Sequence, residues 1–239
     1  MFKIILNRTG VAMIELIFAI VIMGIVLLSA PMLINQAAKA GLFSVQQEAI
    51  VAGATEMGMI FTRHWDEQDT NESRYSPILV TAEAIAALNE ANDASGDPTG
   101  RRIGTPALSS RSFVTSGIRL NASTTLAAEG GDDDDIDDFN GVTAQLNDET
   151  TTTTQVGDYI DTSLQMAVAV TYISSPNAYN AETISFNDPF NSTPGGTTNI
   201  KSITTTVTSG TYDAELETNI QLRAFSCNIG TYELKERNF

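Results

Sequence analysis

Acidic side chains are concentrated in one short run, "EGGDDDDIDDFNG", at residues 129–141. Carboxylates flanked by Gly and Asn are hard oxygen donors of the kind that Ca²⁺ prefers. The run is not an EF-hand, because counting from Asp133 the sixth position is Asp138 and the twelfth is Ala144, where that motif needs Gly and Glu. A cation site of another geometry would draw on the six aspartates, Asp132, Asp133, Asp134, Asp135, Asp137 and Asp138.

Three interpretations of this run stay open on the sequence. It is a solvated acidic loop, a Ca²⁺ site, or a segment neutralised by the basic stretch from Arg101 to Arg119. Ile136 and Phe139 interrupt the aspartates and predict that the run is anchored to the body of the protein. Close carboxylates then raise one another's pKa unless a cation intervenes. Ca²⁺ is the one cofactor that the sequence suggests.

Few side chains are available for nucleophilic or zinc chemistry. The chain has one histidine, His64, and one cysteine, Cys227, and it shows no Gly-rich phosphate loop. These counts disfavour an enzyme and exclude an intrachain disulfide. His64 is interpreted as a residue that packs beside Trp65 at the end of a helix. The net charge of −16 disfavours direct binding to nucleic acid.

A single carboxylate interrupts the apolar N-terminal stretch. From Val11 to Ile34 the chain runs for 24 residues in which Glu15 is the only charged side chain. This length can cross a hydrocarbon core of about 30 Å, where a carboxylate costs about 2.5–3.5 kcal/mol. Lys3 and Arg8 precede the span and predict a cytoplasmic N-terminus with the remaining chain outside. A cleaved secretory signal fits poorly because the apolar run is too long.

The N-terminal residues resemble the prepilin signature of type IV pilins and type II secretion pseudopilins. The resemblance consists of a short basic leader ending in Gly10, Glu15 five positions later, and an apolar run around it. It implies that a prepilin peptidase cuts between Gly10 and Val11 and methylates the new amine of Val11. The family usually has Phe where this chain has Val11. The resemblance also implies that Glu15 pairs with the terminal amine of a neighbouring subunit. This pairing would offset the free-energy cost of placing the Glu15 carboxylate in lipid.

The same resemblance implies the function and the partners. We expect a minor pilin or pseudopilin, a structural subunit that assembles with other subunits through its helix and depends on an assembly platform protein. The string "DDIDDFNG" is similar to an Asp-rich stretch in minor pilins of the mannose-sensitive haemagglutinin pilus. The expected location is the bacterial inner membrane, as a single-pass protein. The alternative is a membrane-anchored adhesin or binding domain that never assembles.

Hydrophobic spacing predicts the elements that position these residues. The resemblance assigns residues 1–10 to the leader. The hydrophobic spacing predicts the membrane-spanning half of a helix at 11–35 and its amphipathic continuation at 36–65, which ends near Trp65. An acidic domain follows at 66–239, with a short helix at Thr81–Asp93. Strands are predicted at Leu164–Ile173, Ile200–Thr208 and Asn219–Ile229, and loops at 147–157 and 177–196. The predicted fold class is α+β and pilin-like, with the long helix packed on a C-terminal antiparallel sheet.

Overall fold

The computed structural model describes most of the chain. The described residues are 9–70, 76–106, 108–115, 117–129, 131–145, 163–175, 179, 182–183, 194–210 and 219–231. They divide into two compact units, residues 1–48 and 49–239. Each unit is described by itself below.

One long helix, α1, runs from Thr9 to Ile60 and continues through Pro31. In the first unit the large apolar side chains from Met13 to Ile34 are all exposed. Within the described residues, α1 is the one helix long and apolar enough to span a membrane. Apolar exposure on every side of a helix is typical of a segment that is covered by lipid or by other chains. The predicted membrane-spanning helix is therefore supported by length and composition.

In the second unit, the last turns of α1 pack against a sheet. Ala49, Gly53, Met57 and Ile60 are buried and recur at intervals of three and four residues, as an amphipathic helix requires. Gly53 permits a close approach, because a Cβ atom there would lie 3.0 Å from the Cδ1 atom of Leu222. The helix ends at Ile60, and the prediction that it ends near Trp65 is wrong by about one turn.

The main sheet has four antiparallel strands in the order β5-β6-β7-β8. Their bounds are β5 Thr143–Gln145, β6 Ser163–Ile173, β7 Ile200–Gly210 and β8 Asn219–Cys227. β6 and β7 pair in continuous register from Ser163 opposite Gly210 to Ile173 opposite Ile200. The three strands predicted from alternating hydrophobicity are thus confirmed, with their ends displaced by one or two residues.

Two small hairpins precede this sheet. They are formed by β1 Glu90–Asn92 with β2 Pro98–Arg102, and by β3 Val114–Thr115 with β4 Ile118–Arg119. The helix predicted at Thr81–Asp93 is therefore wrong, since this stretch holds only a 3₁₀ turn at Ala86–Leu88 before β1 begins. The Asp93 carboxylate accepts the backbone N–H groups of Ser95 and Asp97 and closes the turn of the first hairpin. This local turn and the strand pairing outweigh the helix propensity of the alanines, which is the highest of any residue type.

The core of the second unit lies between the end of α1 and the inward face of the main sheet. It contains Ile60 and Trp65 after the helix, Ile136 and Phe139 from the acidic run, and Val168, Val170 and Ile203 from the strands. The architecture is α+β, as predicted. The predicted loop at 147–157, and most of the one at 177–196, lie outside the described residues.

Candidate functional site

A fully buried lysine lies in the second unit, on the inward face of β7. Lys201 has no exposed surface, and alternate residues after it, Ile203, Thr205 and Val207, are also buried. The side chains of a strand alternate between its two faces, so Lys201 occupies a position where an apolar residue is expected. A buried ammonium is tolerated only when it is paired and hydrogen-bonded.

Two aspartates and one carbonyl surround this ammonium. Lys201 Nζ donates to Asp137 Oδ2 at 2.7 Å, to Asp66 Oδ2 at 2.9 Å and to the Trp65 carbonyl at 2.8 Å. These contacts use all three donors of the lysine. The side chains of Asp66 and Asp137 are no more than 3% exposed, so both ion pairs are shielded from water.

Two aromatic rings close the site. Nζ lies 4.2 Å from the ring centroid of Trp65 and 5.3 Å from that of Tyr172. The rings themselves are in tilted contact, with centroids 6.2 Å apart. We call Lys201, Asp66, Asp137, Trp65 and Tyr172 the Lys201 cluster.

Asp66 is held in place by hydrogen bonds from the backbone around it. Its oxygens accept the N–H groups of Gln68 and Ser123, and the Tyr172 hydroxyl lies 3.2 Å from Oδ2. Burial and the neighbouring Asp66 charge both raise the pKa of the Tyr172 phenol, which therefore stays protonated.

Asp137 has fewer partners. Its Oδ2 contacts Lys201, while Oδ1 is buried with no hydrogen-bond partner among the described residues. Burial raises the pKa of Asp137 to about 8, although the Lys201 charge opposes this shift. Burial also raises the pKa of Asp135 to about 6 and that of Asp69 to about 7. The second unit thus holds three carboxyl groups whose pKa values are raised by burial towards or beyond neutral pH.

The acidic run is carried into the core by its backbone and by two apolar residues. The N–H of His64 donates to the carbonyl of Asp134, and the N–H of Ile136 donates to the carbonyl of His64. Ile136 and Phe139 are 2% and 8% exposed, which confirms that they anchor the run. A 3₁₀ turn at Asp137–Phe139 then directs Asp137 towards β7.

The six aspartates predicted as metal ligands do not converge on one point. Asp132 and Asp133 are exposed and Asp134 is half-buried, whereas Asp135, Asp137 and Asp138 are buried. Asp138 and Asp135 accept backbone N–H groups within the run itself. Across the described part of the chain, no group of three or more His, Cys, Asp or Glu side chains is arranged to hold a metal ion. Ca²⁺ binding stays a prediction from the sequence, and this arrangement adds no support to it.

The basic stretch from Arg101 to Arg119 was the other predicted partner of the run. Arg101 donates to the carbonyl of Ser109, Arg102 to that of Asn228, and Arg119 pairs with Glu90. Lys201, which lies outside this stretch, contacts the acidic run through Asp137.

Among the described residues, Ser76 and Asp69 both lie close to one ring nitrogen of His64. Its Nδ1 atom lies 2.9 Å from Ser76 Oγ and 3.3 Å from Asp69 Oδ1. In a serine-hydrolase triad the serine and the aspartate contact opposite nitrogens, so that a proton can be relayed through the ring. This arrangement does not permit that relay, and His64 is interpreted as a positioning residue at the end of the helix.

The residues of the predicted N-terminal site lie in the first unit. Gly10 and Val11 fall in the first turn of α1, and Glu15 follows Val11 by about one turn. The Glu15 side chain is exposed on the apolar helix. The predicted spacing between the new terminus and the carboxylate is thus compatible with one continuous helix.

Sequence reasoning missed the Lys201 cluster. A signal was present, because Lys201 shares its strand parity with Ile203, Thr205 and Val207 and so occupies a core position. The aspartate partners could not be chosen from the sequence, since Asp66 and Asp137 are 135 and 64 residues away from the lysine.

No protein-family model, curated protein or solved structure matches this chain.

Proposed function

We propose that this chain is a minor pilin or pseudopilin, a structural subunit of a type IV pilus or a type II secretion-like filament. The observation that carries the proposal is the exposed apolar helix from Met13 to Ile34, interrupted near its start by the single carboxylate of Glu15. A simple membrane anchor needs neither that carboxylate nor the glycine that precedes it. The pilin-like fold belongs to the same proposal and is supported by the order of one long helix and then an antiparallel sheet.

The proposed pathway begins in the bacterial inner membrane. The leader stays on the cytoplasmic side, a prepilin peptidase cuts after Gly10, and the amine of Val11 is methylated. The processed subunit is then assembled by a platform protein. In the filament, Glu15 of one subunit pairs with the terminal amine of another, since a charge in an apolar environment is stabilised by an opposite charge.

Determining the N-terminus of the protein recovered from native membranes tests the processing step. We expect a chain that begins at Val11 and carries one added methyl group. An intact Met1 terminus, in cells that process other prepilins, would contradict the proposal and favour a membrane-anchored adhesin or binding domain that does not assemble.

Replacing the carboxylate tests the assembly step. Glu15→Ala should insert into the membrane at least as well as the wild type, because it removes a charge from the apolar run. The fraction found in filaments should fall by roughly tenfold or more, since each 1.4 kcal/mol of lost pairing energy is a factor of ten. The measurement is the ratio of sheared filament to membrane pool in quantitative immunoblots.

Glu48→Ala is the matched control for this substitution. Glu48 lies on the same helix and is exposed, but it is outside the apolar run, so its removal should leave the ratio unchanged. Normal assembly of Glu15→Ala, or an equal loss in both variants, would refute the alignment role of Glu15.

A further inference from the structure

The Lys201 cluster brings an amine and two carboxyl groups together where water is excluded. Lys201 and Asp66 have no exposed surface, and Asp137 is 2% exposed. Amide formation between an amine and a carboxylic acid is disfavoured in water, because water solvates the separate ions and hydrolyses the product. Both effects are weak where the groups are desolvated, because a buried ion pair retains a large desolvation cost that a neutral amide does not have.

We propose that Lys201 and Asp137 form an intramolecular isopeptide bond, with Asp66 as the proton-transferring group. The bond joins Nζ of Lys201 to Cγ of Asp137 and releases one water molecule. This cross-link is independent of the proposed function and would exist whether or not the chain assembles.

The contacts assign different roles to the two aspartates. Asp66 accepts hydrogen bonds on both of its oxygens from backbone N–H groups, which hold the carboxyl group in place beside Nζ. Asp137 contacts the lysine through Oδ2 at 2.7 Å and leaves Oδ1 without a partner in the described part of the chain. Asp137 is therefore assigned as the electrophile, and Asp66 as the group that transfers protons.

The reaction balances without any added reagent. The Lys201 ammonium gives a proton to Asp137, and the lone pair of Nζ attacks Cγ to form the N–C bond. The Asp66 carboxylate then takes a proton from the nitrogen and passes it to the hydroxyl group on Cγ. The C–O bond breaks, water leaves, and Asp66 returns to its ionised state.

The fold supplies the positioning that this reaction needs. Asp137 is fixed by the 3₁₀ turn between the buried Ile136 and Phe139, and Lys201 is fixed by its pairing in the centre of the sheet. Groups held in contact react as if at effective concentrations of up to about 10⁵–10⁸ M. The chain has a single cysteine, so an isopeptide bond would be a covalent constraint that disulfides cannot provide within it.

Intact mass spectrometry of the full-length, folded chain in detergent tests the proposal. The expected mass is lower by one water molecule than the mass calculated for the chain with the N-terminus and N-terminal modification found in the same sample. Protease digestion should give a branched peptide that contains both Asp137 and Lys201. A folded wild-type protein with the full mass would overturn the proposal, and a branched peptide linked through Asp66 would overturn the assignment of the electrophile.

Variants separate the cross-link from an ordinary buried ion pair. Lys201→Arg keeps the positive charge but should show the full mass, and Asp66→Asn should slow the loss of water after refolding. Asp137→Asn should still form the link, now by releasing ammonia, because the amide carbon remains an electrophile.

Asp69→Asn is the control, since it removes a nearby buried carboxylate that does not contact Nζ, and it should lose water normally. If neither the wild type nor Asp137→Asn forms the cross-link, Lys201 and Asp137 are an ordinary buried ion pair.

Discussion

Asp69 is a carboxyl group that the second unit buries without a strong counter-charge. It is 2% exposed, and its neighbours include Asp66, His64 and Lys201. Burial, together with the Asp66 charge, raises the pKa of Asp69 from its ordinary value of 3.8 to about 7. Between these two values the folded chain binds a proton that the unfolded chain has released. This group therefore stabilises the fold fully below its unfolded pKa, and that contribution is lost as the pH rises through about 7.

The corresponding prediction concerns Asp69→Asn, which resembles the protonated acid at every pH. The free energy of unfolding of the wild type should fall between about pH 5 and about pH 8. In the variant this fall should be smaller by about 1–4 kcal/mol, since one pKa unit corresponds to about 1.4 kcal/mol. Urea unfolding followed by the fluorescence of Trp65, the only tryptophan, measures this difference. Asp97→Asn, at an exposed position, should follow the wild type. A steeper decline in Asp69→Asn than in the wild type would contradict the prediction.

Single residues also show where sequence reasoning stops. The anchoring of the acidic run by Ile136 and Phe139 could be predicted, because apolar residues within a charged segment need a buried surface. The pairing of Asp137 in this run with Lys201 could not be predicted from the sequence. It depends on which strand lies opposite the run, and that is a property of the tertiary fold.

Among the elements, long segments with one strong period were predicted and short segments were not. The amphipathic continuation predicted at 36–65 and the alternation in β6 each extend over several turns or pairs, so the pattern outweighs local exceptions. Thr81–Asp93 failed because its alanines have helix propensity but its end is fixed by a turn at Asp93 and by pairing with β2. Such pairing contributes nothing to a pattern read along the chain.

The contact between α1 and the sheet depends on Gly53. A Cβ atom there would meet Leu222 at 3.0 Å and Val207 at 3.3 Å, so Gly53→Leu should overpack the interface and destabilise the second unit by about 1–3 kcal/mol. Gly58→Leu is the matched variant, because an added Cβ there meets no atom within 4 Å outside the neighbouring backbone of its own helix. It should stabilise the helix by about 0.5–1 kcal/mol. Urea midpoints of both variants measure the two effects. Equal shifts of the same sign would show that a larger side chain at Gly53 does not overpack the contact between α1 and the sheet.

On the scale of the whole molecule, charge is distributed unequally along the chain. The net charge is −16, yet from residue 1 to residue 64 the only acidic residues are Glu15, Glu48 and Glu56. Lys3 and Arg8 precede the apolar helix, and positive residues before a span favour a cytoplasmic N-terminus. Orientation depends on a few charges near the span, so it stays a prediction from these residues. Within the described residues, one helix is long and apolar enough to cross a membrane.

The orientation that follows can be measured with one reactive side chain. We expect a chain carrying Ala94→Cys in a Cys227→Ser background to react with a membrane-impermeant maleimide in right-side-out vesicles. Ala94 is exposed in the second unit, which this orientation places outside. Inverted vesicles should protect it until detergent is added. Removing the native cysteine leaves the new thiol as the only target, since the chain has a single cysteine. Labelling in inverted vesicles alone would place the second unit in the cytoplasm. That location would contradict assembly into a filament outside the inner membrane. Labelling in both preparations without detergent would show that the apolar helix does not hold the chain in one orientation, and that charge near the span does not decide its direction.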